Sequence, residues 1–437
     1  MRRKIYNELM EWKNNNINKK PLMVLGVRQS GKTYIINEFC KNNYKNYIYV
    51  NLLERKDIIN LYSSNLTSLE KFNRLKLLLD FDIEIEDTIL FIDEIQESAE
   101  LIQELKYFCE KHNDIKIVCA GSLLGVKLKR NSSSFPVGKV KMLNMYPMNF
   151  EEFLMAMDQD MLIESIKDCY LNNKQLSIPV HEKALNYYKI YLITGGMPES
   201  VYNMISVNND YIKYDKSILQ DILSSYFKDM SKYVSSDIET LKINRVYSSL
   251  PSQLSNNSNK FQYSKVEKDG KARTYITSID WLEASNMVLR CKCVKIPKIP
   301  LEGFVDEDVF KLYLSDVGIL NNILKINMED IINDNLSLYK GVITENYVAN
   351  QLICNKQSLY YFRNDNNTNE IDFLIYNKDG IIPVEIKSSN NTKSKSLTNY
   401  IEKYNPKYSI RISTKEFGYN PDTKIKSVPL YAVFLIK

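Results

Sequence analysis

The sequence predicts an α/β protein: a parallel sheet at the front of the chain, with two further folded regions behind it. Three observations carry this prediction. The apolar run Pro21–Leu25 is followed by Gly26, Val27, Arg28, Gln29, Ser30, Gly31, Lys32 and Thr33, then by the helical stretch Tyr34–Phe39. A second apolar run, Ile89–Ile92, emerges into Asp93 and Glu94. At 437 residues the chain exceeds one ordinary core, so two or three domains are expected.

The stretch Gly26–Thr33 fits the phosphate-loop pattern G-x-x-x-x-G-K-[ST]. Backbone N–H groups converging at a helix N-terminus form a cradle for a polyphosphate. Lys32 is then placed to reach the β- and γ-phosphates, and the Thr33 hydroxyl to ligate Mg2+. Glycine makes up only 13 of the residues, which leaves chance a poor explanation of the match. The run ending in Asp93 and Glu94 reads as a buried parallel strand with its acids at the carboxyl end, where ligands of such sheets bind. Asp93 would hold Mg2+ and Glu94 would polarise the attacking water. Burying two carboxylates without partners is costly, which gives the pair weight as a site. A third strand, Ile115–Ala120, ends at Gly121 and Ser122. Ser122 either senses the γ-phosphate or caps the next helix.

Together with Tyr146-Pro-Met-Asn-Phe-Glu-Glu-Phe153 and Leu192-Ile-Thr-Gly-Gly-Met-Pro198, these blocks resemble a large prokaryotic family of AAA-like P-loop ATPases. The resemblance implies ATP as substrate, Mg2+ as cofactor and hydrolysis as the activity. In that family the segment before the Tyr-Pro block usually reads Gly-Arg, whereas here it is Gly138-Lys139. Lysine lacks the guanidinium fork, so Arg130 is the alternative candidate for an arginine finger.

From about residue 155 to 240 the pattern is helical, broken at Gly195-Gly196. Residues 241–296 look like a winged helix: helices at Ile243–Leu254, Lys260–Val266 and Arg273–Ser285, and the strand Met287–Val294 as the wing. Such a fold either reads DNA through its third helix or, as in AAA-like ATPases, serves as a lid.

Further on, Asn369–Tyr376 and Ile381–Lys387 read as two alternating strands joined by a turn containing Asp379-Gly380. A two-residue turn pairs Asp372 with either Glu385 or Lys387, and both registers put the three side chains on one face. Glu345, on the helical stretch Gly341–Asn350, could point into the same site. The arrangement resembles the restriction-endonuclease-like core, which implies a second Mg2+ or Mn2+ held by Glu345, Asp372 and Glu385, with Lys387 orienting water. The bland alternative is a surface salt-bridge network. Lys311-Leu-Tyr-Leu-Ser-Asp-Val-Gly318 matches the usual opening of the C-terminal domain in these ATPases, so the resemblance covers nearly the whole chain.

The expected organisation is therefore an AAA-like P-loop NTPase core at 1–190, a helical and winged-helix lid at 191–300, and a restriction-endonuclease-like α/β domain at 301–437. Residues 383–437 hold ten Lys or Arg against four Asp or Glu, and so contain the whole +5 excess of the chain. That is compatible with DNA or another nucleic acid, and equally with a solvated lysine-rich surface. No apolar run reaches the ~18 residues of a membrane span, and no signal-peptide core is present. Seven scattered cysteines point to reduced thiols in a cytoplasm; Cys291 and Cys293 have no second Cys/His pair for zinc. An unidentified protein partner and an oligomer are both compatible. The rival reading is a slow nucleotide-dependent protein-binding switch that cuts nothing.

Overall fold

The computed structural model describes residues 1–15, 20–84, 86–122, 136, 138–234, 236–255, 260–336, 339–366, 368–387 and 395–437. The chain divides into two compact units: Arg2–Tyr146 with Ala284–Asn286, and Pro147–Glu283 with Met287–Lys437.

In the first unit, strands β1 (Leu22–Leu25), β2 (Asn46–Asn51), β3 (Thr88–Asp93), β4 (Lys116–Gly121) and β5 (Lys141–Asn144) form one sheet in the order β2-β3-β4-β1-β5. Every neighbouring pair is parallel. Helices α1 (Ile5–Asn15) and α2 (Lys32–Asn43) cover one face, burying Trp12, Ile36 and Phe39 with Val24, Phe91 and Val118. Helices α3 (Lys56–Tyr62), α4 (Ser68–Leu79) and α5 (Ala99–Lys111) cover the other, where Tyr62, Phe72 and Leu105 meet Met23, Ile92 and Cys119. Burial on both faces is why β1 and β3 read as unbroken apolar runs. Because β4 lies between β1 and β3, its tip sits between the phosphate loop and Asp93.

The second unit begins with helices α6 (Phe150–Ala156), α7 (Asp160–Asn172), α8 (Ile178–Thr194), α9 (Pro198–Ser206), α10 (Ser217–Tyr233), α11 (Asp237–Ser255) and α12 (Ala272–Ala284). An eight-stranded mixed sheet follows, of strands β6 (Val288–Val294), β7 (Val305–Leu314), β8 (Tyr360–Arg363), β9 (Glu370–Asn377), β10 (Gly380–Ile386), β11 (Ser409–Ser413), β12 (Gly418–Asn420) and β13 (Ile425–Pro429). Their order is β12-β13-β11-β10-β9-β8-β6-β7. Helices α13 (Val317–Ile323), α14 (Met328–Ile332), α15 (Tyr339–Cys354) and α16 (Lys395–Tyr404) complete it.

Two differences from the sequence reading have clear causes. The first unit ends at Tyr146, inside the stretch expected to be one core to 190. From Phe150 onward the chain packs into the second unit: the Phe150 N–H donates to Gln351 Oε1 at 2.8 Å, and its ring meets Tyr191, Tyr347 and Phe434. The strand expected to be a wing is β6, paired antiparallel with β7 and parallel with β8 inside the large sheet. Val288, Cys291, Cys293 and Val294 are buried there, which an exposed wing would not allow. Of the three expected helices, α11 and α12 are present, and the second is a single 3-10 turn, Tyr263–Lys265.

The β9–β10 hairpin pairs Asn377 with Gly380, leaving Lys378 and Asp379 as the turn; this register brings Asp372 opposite Glu385. All seven cysteines are free thiols. Among the described residues no helix is long and apolar enough to cross a membrane.

Candidate functional site

The phosphate loop leaves β1 through Gly26, where space decides the residue. A Cβ at Gly26 would lie 2.2 Å from the Met145 carbonyl oxygen, and the Met145 N–H donates to Leu25 O at 2.7 Å. Gln29 and Gly31 take left-handed φ values of 62° and 91°, which turn the loop back toward the start of α2. Val27 and Ser30 are buried, and the Ser30 hydroxyl donates to Val27 O at 2.9 Å; Arg28 and Gln29 are exposed. The Lys32 ammonium donates to Gly26 O and Val27 O at 2.9 and 2.8 Å, so its charge is held within the loop. Arg3, outside the sequence reading, braces the loop from behind: its guanidinium donates to Ser30 O at 2.9 Å and Tyr146 O at 2.7 Å.

Asp93 is fixed at both oxygens. Its Oδ2 accepts from Thr33 Oγ1 at 2.8 Å and from Tyr49 Oη at 3.1 Å, while Oδ1 accepts the Glu94 N–H at 3.0 Å. Tyr49 comes from β2, which runs beside β3 with Asn51 opposite Asp93. Thr33 and Asp93 thus converge from the loop and the neighbouring strand tip as an Mg2+-holding pair requires, and they fit that ion. Glu94 leaves the strand with a left-handed backbone, φ 54° and ψ 41°. For a side chain with a Cβ this conformation stores strain on the order of 1–2 kcal/mol, a feature that clusters at functional positions. Burial pushes its carboxyl above the ordinary glutamate value. A hydrogen bond from the Gln96 amide opposes that, the Asp93 charge adds to it, and the Lys32 and Arg28 charges oppose it again. A carboxylate with a raised pKa, within the field of the loop lysine, suits proton acceptance from water.

Leu25 pairs with Gly121 across β1 and β4, which places Ser122 at the tip of β4 beside the loop. Arg130 lies outside the described residues. Lys139 pairs with Glu110 at 2.9 Å.

A family model described as "AAA domain" matches residues 18–154. Residues 18–154 are thus similar to an AAA domain. Two family models described as domains of unknown function, DUF8612 and DUF4143, match residues 185–330 and 340–433. No curated protein matches the chain. Among solved structures, a Walker-type ATPase of Pyrococcus abyssi is 14% identical over 74% of this chain and 95% of its own, with a TM-score of 0.45. The Aeropyrum pernix ORC2 protein is 11% identical over 76% and 93%, with a TM-score of 0.39. AMPPCP-bound DnaA from Aquifex aeolicus is 13% identical over 65% and 89%, with a TM-score of 0.26. These three likenesses are too loose to bear on chemistry.

Beyond the AAA domain, the structure brings the four hairpin-site residues into one polar cluster and adds others. Glu345 Oε1 accepts from Lys311 Nζ at 2.8 Å and from Tyr313 Oη at 2.5 Å. Lys311 also reaches Glu370 Oε1 at 3.0 Å. Asp372 Oδ2 accepts the Ile386 N–H at 2.7 Å, and Lys387 Nζ donates to Glu385 Oε1 at 2.8 Å. Burial drives the Asp372 carboxyl well above its ordinary value; the charges of Glu385 and Glu345 push the same way, and Lys311 and the Ile386 N–H oppose them. For Lys311, burial favours loss of the proton, but Glu345, Glu370 and Asp372 outweigh it and hold the ammonium well above its usual range.

This donor set does not fit a second Mg2+ or Mn2+ as it stands. Such ions need several carboxylate, carbonyl or water oxygens around them. Here internal cations already engage Glu345, Glu370 and Glu385, and among the described residues no group of three or more His, Cys, Asp or Glu is arranged to hold a metal. Lys311 and Glu370 are not among the site residues expected from the sequence. Strand alternation puts Glu370 on the Asp372 face, a signal that was there to be used; Lys311 arrives from β7, which nothing local announces.

Proposed function

We propose that the AAA domain binds and hydrolyses ATP with Mg2+, and that the nucleotide cycle governs engagement of a nucleic acid or a protein partner by the second unit. The observation that carries hydrolysis is the Thr33–Asp93 hydrogen bond with Glu94 turned out of the strand beside it. The loop N–H groups and Lys32 bind and orient the polyphosphate. Thr33 and Asp93 would hold Mg2+, which offsets phosphate charge when bound. Glu94 takes the proton of the attacking water, Ser122 stands at the γ-phosphate side, and Gln96 orients the Glu94 carboxylate.

A decisive pair of variants is Lys32→Ala and Glu94→Gln. Lys32→Ala is expected to lose ATP affinity and turnover together; Glu94→Gln is expected to keep affinity and lose turnover. Unchanged turnover in either variant sinks the reading.

For the second unit, a nuclease-like α/β fold that engages without cutting is the reading the geometry favours, because Glu345, Glu370 and Glu385 are already paired with lysines. Capture of nucleic acid and protein by Glu94→Gln loaded with ATP identifies the engaged partner. Metal-dependent nicking of DNA or RNA that disappears in Asp372→Ala would restore the cutting alternative.

A further inference from the structure

Four acids crowd one end of the large sheet: Glu345 from α15, Glu370 and Asp372 from β9, and Glu385 from β10. Crowding acids in a part-buried cluster is costly without positive charge beside them. Lys311 is the group positioned to supply it. It projects from β7, is 8% exposed, and donates to Glu345 at 2.8 Å while lying 3.0 Å from Glu370. Its ammonium also sits 4.9 Å from the centre of the Tyr361 ring, a favourable distance for a cation over an aromatic face. Tyr313, two residues along the same strand, donates to the same Glu345 oxygen and fixes its orientation. A buried ammonium needs carboxylates as much as buried carboxylates need a cation, and each demand is met by the other.

We propose that Lys311 is the resident cation of this cluster, standing where a nuclease-like site would carry a divalent metal, so that the second unit works as a metal-independent binding module. Lys387 plays the same part for Glu385. The inference concerns the second unit alone and is independent of ATP hydrolysis.

The test uses the full chain carrying Asp93→Asn, without nucleotide, so that the ATP site contributes no metal signal. Mn2+ is titrated and bound ion is read by electron paramagnetic resonance. The expected result is no binding tighter than millimolar, and the same trace after Asp372→Asn. Micromolar binding that Asp372→Asn removes overturns the proposal. Lys311→Met and Lys311→Arg are then added to the same chain and melted with and without Mg2+ or Mn2+. Lys311→Met is expected to melt several degrees lower and to recover when the divalent ion replaces the missing charge. Lys311→Arg keeps a cation and is expected to melt like the parent, insensitive to metal. A Lys311→Met protein as stable as the parent without metal also overturns it. Should Lys311→Met fail to fold, the Mn2+ titration of the parent still decides. ATP binding is measured separately on the chain with Asp93 intact, so a failure of the ATPase reading leaves this result untouched.

Discussion

Asp93 receives two hydroxyl hydrogens on one oxygen, from Thr33 and Tyr49, and a backbone hydrogen on the other. Thr33 belongs to the phosphate-loop pattern, and Asp93 to the strand-end acid pair, so both were legible in the sequence. Tyr49 was not, because its place depends on β2 lying beside β3, and strand order is a property of the whole sheet. Its hydroxyl is the group to remove. One hydrogen bond to a charged acceptor contributes about 1.5–3 kcal/mol when buried, and less here because Tyr49 is 42% exposed. Tyr49→Phe is therefore expected to weaken ATP binding by roughly threefold to tenfold with Mg2+ present, and to leave binding in EDTA unchanged. Equal losses in both conditions would mean Tyr49 does not act through Asp93. Glu94 gives a second prediction, with its sign set by Gln96. The Gln96 amide bonds the charged carboxylate and so lowers a pKa that burial has raised. Removing it in Gln96→Ala leaves burial opposed only by the Lys32 and Arg28 charges, and the acid limb of kcat should move to higher pH. A limb that stays put or moves down would show that Glu94 is not the titrating base.

The sequence marks Tyr146–Phe153, Leu192–Pro198 and Lys311–Gly318 are far apart along the chain, yet in the second unit parts of all three meet in one buried junction. The Gly196 N–H donates to Asp316 Oδ2 at 2.6 Å, and Gly196 O accepts the Met148 N–H at 2.7 Å. A Cβ on Gly196 would lie 2.1 Å from Met148 O, backbone that cannot step aside. Overpacking of this kind costs about 1–3 kcal/mol, so Gly196→Ala should lower the urea midpoint with little change in slope. Asp316 caps α13 through the Ile319 N–H at 3.0 Å, and burial pushes its carboxyl up to about 6 despite the N–H groups of Gly196, Ile319 and Gly318. An acid whose folded pKa is raised stabilises the fold below its unfolded value, near 4, and that contribution is lost as pH rises through about 6. Raising the carboxyl from near 4 to about 6 corresponds to about 3 kcal/mol. Asp316→Asn abolishes this contribution, so its destabilisation relative to the parent should be largest near pH 4 and shrink by pH 7. A gap independent of pH would refute the assignment. Local sequence showed Gly195-Gly196 as a helix breaker but could not show what it docks against. The hairpin was half legible for a similar reason. Alternation fixed its faces, while the register depended on Asn377 Oδ1 capturing the Asp379 N–H at 2.9 Å and on Gly380 at φ 100°.

The charge of the whole molecule looks different once its lysines are placed. Among the ten basic residues of 383–437, Lys387 and Lys407 are paired with Glu385 and Asp379, and Lys426 is half-buried against Tyr170. The positive field suggested by composition is weakened accordingly, and composition had no means of showing it. Contact with nucleic acid through this region should therefore release at most about seven counterions rather than ten, which the slope of log affinity against log salt measures. What ATP does to the second unit is then the question that decides the function. A ligand shifts a conformational equilibrium only by its differential affinity for the two states. Hydrogen exchange on Glu94→Gln, with and without ATP and Mg2+, separates the outcomes. Protection confined to Gly26–Thr33 and Asp93–Gln96 would mean binding without communication, and the coupled reading would fall. Changes reaching Tyr339–Cys354 and Glu370–Ile386 would establish coupling. Linkage then imposes a further requirement, because any factor by which ATP alters affinity for the partner must equal the factor by which the partner alters affinity for ATP. Both constants can be measured on Glu94→Gln, where hydrolysis does not disturb the equilibrium, and a mismatch between them would show that ATP is still being consumed or that binding has not equilibrated.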